Sequence, residues 1–261
     1  MSSLHFRELS NGYKIPSLGL GTWHLSGSEC RYAVKKAIEL GYGHIDTAEM
    51  YGNQEEIGES IKDFDRSKLF LTSKVWSNNL HHEDVPKACE KTLRELDTSY
   101  LDLYLIHWPN PSVPLKETFK ALEELVSNGK VRSVGVSNFD VSLLRAAFNV
   151  ARVPVTVDQV RFHPYSYEKE FLGFCTDNKV VVTAYSPLGR GSLINDRTIV
   201  QIASRYNKTP AQVCLRWCLQ KGTVVIPKAR SEEHLKENMG IFGWKISDYD
   251  MRRMDSLSES E

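Results

Sequence analysis

Four residues of types that can move protons stand at or just beyond the ends of apolar runs. Asp46 follows Gly43-His44-Ile45, with Tyr51 five residues on. Lys74 follows Leu69-Phe70-Leu71-Thr72-Ser73, and His107 ends the most apolar stretch of the chain, Leu101-Asp102-Leu103-Tyr104-Leu105-Ile106. A free phenol, with a pKa of about 10, is an inefficient proton shuttle near neutrality. A neighbouring ammonium stabilises the phenolate and lowers that pKa, while a carboxylate holds the lysine charged and oriented. A histidine beside them can hydrogen-bond a carbonyl oxygen and fix its direction. Together they suit the protonation of an oxygen on which negative charge develops, as when hydride adds to an aldehyde or ketone. Each residue alone has a plainer reading: a helix cap for Asp46, a loop aromatic for Tyr51, a core histidine for His107. Lys74 alone could be a Schiff-base former, a phosphate ligand or a surface charge. Their shared position at run ends is what points to chemistry.

That position makes sense if the runs are strands of one parallel sheet, whose C-terminal ends lie on one face. Further runs end on Ser137-Asn138, Gln159 and Tyr185. Eight strands are expected at residues 17–21, 43–46, 69–75, 101–107, 131–137, 155–160, 180–185 and 223–226, nearly continuous apolar runs as strands buried on both faces should be. Helical patterns separate them. Leu115, Phe119, Leu122 and Val126 share one helix face, and Val85, Ala88, Leu93 and Leu96 another. Ser231 and Ser247 are placed to cap helices. Residues 198–207 and 210–220 read as two helices in the seventh connection, split at Thr209-Pro210. Asn11-Gly12 signals a hairpin, expected to lie as a lid over one barrel end. The fold class is therefore α/β, a single (β/α)8 TIM barrel over residues 1–261 with an N-terminal β-hairpin and extra helices, its site at the C-terminal face.

Bulk composition narrows the function classes. Lysine plus arginine balances aspartate plus glutamate at 33 each in 261 residues. No basic face for nucleic acid or membrane is forced by that balance. No apolar stretch nears the roughly 20 residues of a membrane span. The first seven residues lack the apolar core of a signal peptide. Five cysteines, an odd number without a CxxC pair, suit a reduced cytoplasmic protein; a monomer acting on a small molecule is expected. Cys214 and Cys218, one helical turn apart, are read as core packing, and no metal site is expected.

The chain resembles the aldo-keto reductases, over residues 9–238. The motifs that carry this are Gly19-Leu20-Gly21-Thr22-Trp23, Ile45-Asp46-Thr47-Ala48 with Tyr51-Gly52-Asn53, and Thr72-Ser73-Lys74-Val75-Trp76. The residues 103–109, Val134-Gly135-Val136-Ser137-Asn138-Phe139, Tyr185-Ser186-Pro187-Leu188-Gly189 and Ile226-Pro227-Lys228 continue the series in family order. The likeness is to short bacterial and archaeal members acting on sugar-derived or other small carbonyl compounds, the diketogluconate reductases among them. It implies a catalytic tetrad of Asp46, Tyr51, Lys74 and His107, with Tyr51 the proton donor. It implies that Ser137, Asn138 and Gln159 hold a nicotinamide carboxamide and that Tyr185 stacks on the ring. Trp23, Trp76 and Trp108, with Tyr51 and His107, are implied as substrate contacts. Cofactor contacts are implied at Gly21, Thr22, Asp46, Ser186, Pro187, Leu188, Gly189, Ile226 and Lys228. The diphosphate is expected near residues 186–192 and Lys228, because no G-x-G-x-x-G follows a strand.

Departures concern the cofactor tail. The family usually places a serine or threonine, then an arginine, where this chain has Ala229 and His234. Glu237 and Asn238, implied adenine contacts, are kept. Arg230 could reach the same volume. The implied cofactor is NADPH, with NADH usable. A cofactor-bound sensing module without turnover, and a Schiff-base aldolase through Lys74, are the rival readings.

Overall fold

The computed structural model describes residues 6–259. A hairpin, β1 (Phe6–Glu8) and β2 (Lys14–Pro16), opens the described chain. Its turn places Gly12 at φ +88°, in the left-handed region that glycine enters without strain. Eight parallel strands follow: β3 (Leu20–Gly21), β4 (His44–Asp46), β5 (Phe70–Val75), β6 (Leu101–Ile106), β7 (Val131–Ser137), β8 (Val155–Arg161), β9 (Val181–Tyr185) and β10 (Val224–Val225). The first and last meet through the bridge Leu18–Val225, with Gly19 N–H donating to the Val225 carbonyl at 2.9 Å and Val225 N–H to that of Ser17 at 2.9 Å. The sheet is thereby closed into a barrel. The helices are α1 (Gly27–Glu39), α2 (Gln54–Ile61), α3 (Asp84–Glu95), α4 (Leu115–Ser127), α5 (Val141–Val150), α6 (Lys169–Asp177), α7 (Arg197–Tyr206), α8 (Pro210–Gln220), α9 (Glu232–Met239) and α10 (Asp248–Asp255).

All eight expected strands are present, but the first and last are short. Closure there brings two backbones together. A Cβ on Gly21 would lie 2.5 Å from the Ile226 carbonyl oxygen, and one on Gly19 would lie 2.5 Å from the His44 ring. Only glycine fits either place. Helices α7 and α8 fall within a residue of expectation. Thr209 caps α8, accepting from Gln212 N–H at 3.1 Å, and Pro210 fills its first turn.

Side-chain parity sorts the core into two layers, because successive residues of a strand face opposite sides. Phe70, Leu103, Leu105, Val157, Val224 and Ile226 point inward and pack with Leu9 and Ile15 of the hairpin. The hairpin thus plugs the N-terminal barrel end, as the lid reading predicts, and Asn11 ties it to β7 through the Arg132 carbonyl at 3.1 Å. Ile45, Tyr104, Ile106, Val134 and Val136 point outward and pack with the helices. Cys214 and Cys218 are buried in that outer core, and all five thiols are free. No described helix is long and apolar enough to cross a membrane.

Candidate active site

The same parity that turns Phe70, Leu103, Leu105 and Val157 inward also turns in Lys74, His107 and Gln159, now at the C-terminal rim. Asp46 shares the inward face of β4 with His44. Lys74 is fully buried. Its ammonium has three donors and three acceptors: Asp46 Oδ1 at 2.6 Å, the Thr47 carbonyl at 2.7 Å and Tyr51 Oη at 3.3 Å. The second Asp46 oxygen, Oδ2, accepts from Gln159 Nε2 at 2.7 Å. Burial by itself pulls the Lys74 ammonium toward losing its proton, but Asp46 and Tyr51 more than reverse this and its pKa is raised. A lysine so paired stays charged and is a poor amine nucleophile, which removes the basis for Schiff-base chemistry.

Tyr51 ends a 3-10 turn, Glu49–Tyr51, held from two sides. Glu49 accepts from Trp76 N–H at 2.9 Å and from Asn79 Nδ2 at 2.6 Å. Asn53 donates to the carbonyls of Thr22 and Leu25 at 2.9 Å each and accepts from the Thr47 hydroxyl at 2.9 Å. Burial raises the Tyr51 pKa above the ordinary phenol value, and the pull of Lys74 downward does not cancel it. The expectation of a lowered phenol pKa is therefore corrected: the ammonium acts in the expected sense but desolvation outweighs it. A protonated phenol is the state a proton donor needs.

His107 meets Tyr51 edge-on at 5.6 Å between ring centroids and Trp76 edge-on at 5.3 Å. Burial, reinforced by the Lys74 charge, lowers its pKa to about 3, so the ring is neutral and can offer one N–H. Asn138 Nδ2 donates to the His107 carbonyl at 3.0 Å and to Ser137 Oγ at 3.0 Å. Tyr185 donates to Asn138 Oδ1 at 2.8 Å, and Ser137 Oγ donates to the Gln159 carbonyl at 2.7 Å. Asn138 has φ +62°, a strained backbone held by these bonds.

A cleft of about 630 Å³ runs across this rim, in the range that holds a sizeable ligand. All four tetrad candidates except Lys74 line it, together with Gly21, Thr22, Trp23, Trp108, Ser137, Asn138, Gln159, Tyr185, Ser186, Pro187, Leu188, Ile226 and Lys228. Lys74 lies beneath, reached through Tyr51 and Asp46. Several expected residues do not line the cleft. Trp76 stands against His107 and supports the ring. Gly189 faces an adjacent cavity between the loops after β8 and β9. Ala229 is buried, and His234 is exposed on α9. The Glu237 carboxylate accepts from the Thr209 hydroxyl. Buried Asn238 bonds the Tyr42 hydroxyl, which itself donates to the Leu235 carbonyl at 3.0 Å. Arg230 is exposed, with Nε 3.4 Å from Glu29 Oε2.

Met50 and Arg190 are among the cleft residues that the sequence does not single out. Met50 stands exposed beside Tyr51. Arg190 lies 5.0 Å over the Trp23 ring, across the cleft mouth, in a run where Gly189, Arg190 and Gly191 all have positive φ. Its position between two glycines was the available signal. The rim also suits a nicotinamide dinucleotide. Glycine at 21 keeps the backbone low, Tyr185 supplies a flat wall, amides and a hydroxyl stand beside Tyr51, and Lys228 puts a cation at the far end.

The Aldo/keto reductase family model matches residues 17–259. The glyoxal reductase of Bacillus subtilis is 43% identical over 97% of this chain and 93% of its own length. Among solved structures, a thermostable aldo-keto reductase crystallised with the inhibitor epalrestat superposes with TM-score 0.93 at 44% identity, covering 97% of this chain and 99% of that one. A putative 2,5-diketo-D-gluconic acid reductase B superposes with TM-score 0.94 at 36% identity, covering 97% and 92%. A closed eight-stranded barrel, the rim constellation and matches of this extent agree, and the chain belongs to the aldo/keto reductase family.

Proposed function

We propose that the whole chain acts as one barrel domain that reduces small aldehydes and ketones to alcohols with Tyr51 as proton donor. The observation that carries this is the saturated Lys74 ammonium, which ties Tyr51 to Asp46 in a single buried network. A bound nicotinamide supplies the hydride. The neutral His107 ring orients the carbonyl oxygen toward Tyr51. As charge develops there, Tyr51 Oη passes its proton to that oxygen, and Lys74 stabilises the phenolate left behind. Asp46 keeps Lys74 in place and, through Gln159, joins the acid to the carboxamide side of the cleft. Ser137, Asn138 and Gln159 hold the carboxamide, and Tyr185 carries the ring. Trp23, Met50 and Trp108 make an apolar wall over Tyr51, suited to small and aromatic aldehydes without strong selection among them.

NADPH is modestly preferred and NADH is usable. Lys228 and Arg230 favour the extra phosphate, while the exposed histidine at 234 and alanine at 229 give it no fork and no hydroxyl. The protein works as a cytoplasmic monomer. Consumption of NADPH and NADH against a panel of carbonyl compounds tests this reading. Turnover of several aldehydes with both nucleotides is expected. Nucleotide binding without turnover on any substrate would favour the sensing module instead.

A further inference from the structure

The segment after β10 is faced by α1. Lys36 of α1 reaches Glu232 at 3.7 Å, and Glu29, in the first turn of α1, reaches Arg230 at 3.4 Å. Glu29 also acts on Lys228, the cleft cation two residues before Arg230. Burial and Arg230 lower the Lys228 pKa, and Glu29 works the other way. A carboxylate therefore stands against Arg230 and within electrostatic reach of Lys228, the two cations that a dinucleotide's 2′-phosphate would seek. The geometry points to Glu29 as a cofactor-specificity residue, whose charge weakens binding of a dinucleotide carrying a 2′-phosphate and leaves the unphosphorylated one untouched. This rests on the reductase reading above.

Two effects of Glu29 compete. It could orient the Arg230 guanidinium for a phosphate, or its charge could oppose the phosphate. The contact decides between them. Only Nε approaches Glu29, at 3.4 Å and without a hydrogen bond, and both side chains are about half exposed, at 55% and 43%. Neither Nη group has a partner among the described residues. Such a contact gives little orientation. The charge is unaffected by that looseness. Coulomb's law through water, screened at physiological ionic strength, makes one nearby like charge worth about a threefold change in Kd for a doubly charged phosphate. Repulsion therefore prevails. NADH has no such phosphate and gives Glu29 nothing to oppose.

The test is the Kd of NADP+ and NAD+ by intrinsic fluorescence for the wild type, Glu29→Gln and Glu29→Asp. Glu29→Gln is expected to tighten NADP+ about threefold and to leave NAD+ unchanged. Glu29→Asp, which keeps the charge, should stay near the wild type. The gain should shrink in about 0.5 M salt. Melting temperatures report any loss from the first turn of α1. An unchanged NADP+/NAD+ ratio, or weaker NADP+ binding in Glu29→Gln, would overturn the assignment, the latter by showing that Glu29 orients Arg230. A wild type that binds neither nucleotide would instead sink the reductase reading.

Discussion

Two ion pairs bracket the cleft, one beneath its floor at Tyr51 and one outside it past Lys228, and they are built oppositely. Lys74–Asp46 is 2.6 Å long, with both side chains almost completely buried and every ammonium donor used. Arg230–Glu29 is 3.4 Å long, half-exposed and without a hydrogen bond. Burial makes the first pair costly to form and more costly to break, so its geometry is rigid. Water and salt make the second worth little, so it can exchange partners. One end is rigid and dry, and the other is loose enough to change partners.

The largest effect expected comes from removing the proton itself. Tyr51→Phe keeps the ring against His107 and deletes the hydroxyl. Turnover should fall by about 10²–10⁴-fold, while nucleotide Kd stays near the wild-type value. Steady-state rates with fluorescence titration of the same sample check this. A variant keeping near-normal kcat would detach Tyr51 from the chemistry.

Breaking the two pairs one at a time measures the contrast directly. Lys74→Met leaves Asp46 buried with Gln159 as its remaining side-chain partner, and should destabilise the fold by about 3–5 kcal/mol. Arg230→Met should cost less than about 1 kcal/mol. Urea unfolding of both variants gives the comparison. Equal losses would mean that burial does not distinguish the two ends.

How much of this was legible depended on the same contrast. The rim placement of the four candidates could be read because strand parity and run ends fix where a buried side chain points, and His107, Lys74 and Asp46 obey that rule. The barrel strands could be read for the same reason, since β6 is a nearly continuous apolar run and β5 and β8 open on apolar residues. Helices α1, α2, α5 and α6 carry more mixed faces and were implied only by the alternation of strands. Glu49 was missed because its work is done on backbone and amide donors of a different strand end, Trp76 and Asn79, which no local pattern joins to it. Trp76 reads as a substrate wall because strand-end aromatics look alike in sequence. Its edge-on contact with His107 is visible only in the structure. The tail contacts were hardest to read. Glu29 lies about 200 residues from Arg230 and belongs to another element.

The buried interior should also answer to acid. Burial lowers the pKa of His44 to about 4, of His107 to about 3 and of His163 to about 4. Each folded value lies below the unfolded 6.5, so the stability it gives is complete above pH 6.5 and is lost as pH falls toward 4. Asp158 works the other way. It is buried, and burial raises its pKa well above the usual carboxylate range, with the Phe139 backbone N–H offsetting this only in part. Its contribution is complete at low pH and is lost as pH rises past 3.8. Three histidines against one aspartate leave a net loss of stability as pH falls through 5. Urea midpoints should therefore drop between pH 7 and pH 5. Asp158→Asn should raise the midpoint at pH 7 and steepen the acid loss. A flat profile in both proteins would mean that these side chains are not held in their neutral forms.

The smallest effect tests the mouth that joins the two ends. Arg190 lies 5.0 Å over Trp23 and has no ion-pair partner among the described residues. It stands beside Ser186, where a diphosphate common to both nucleotides would pass. An exposed cation–π contact is worth about 0.5–1 kcal/mol, so it neither locks the mouth nor positions the tetrad. Arg190→Ala should therefore weaken NADP+ and NAD+ alike, by about twofold to fivefold, and leave kcat unchanged. This separates it from Glu29, whose substitution acts on NADP+ alone. A loss confined to NADP+ would move Arg190 to the 2′-phosphate. A fall in kcat at saturating nucleotide would instead place it with Trp23 against the substrate.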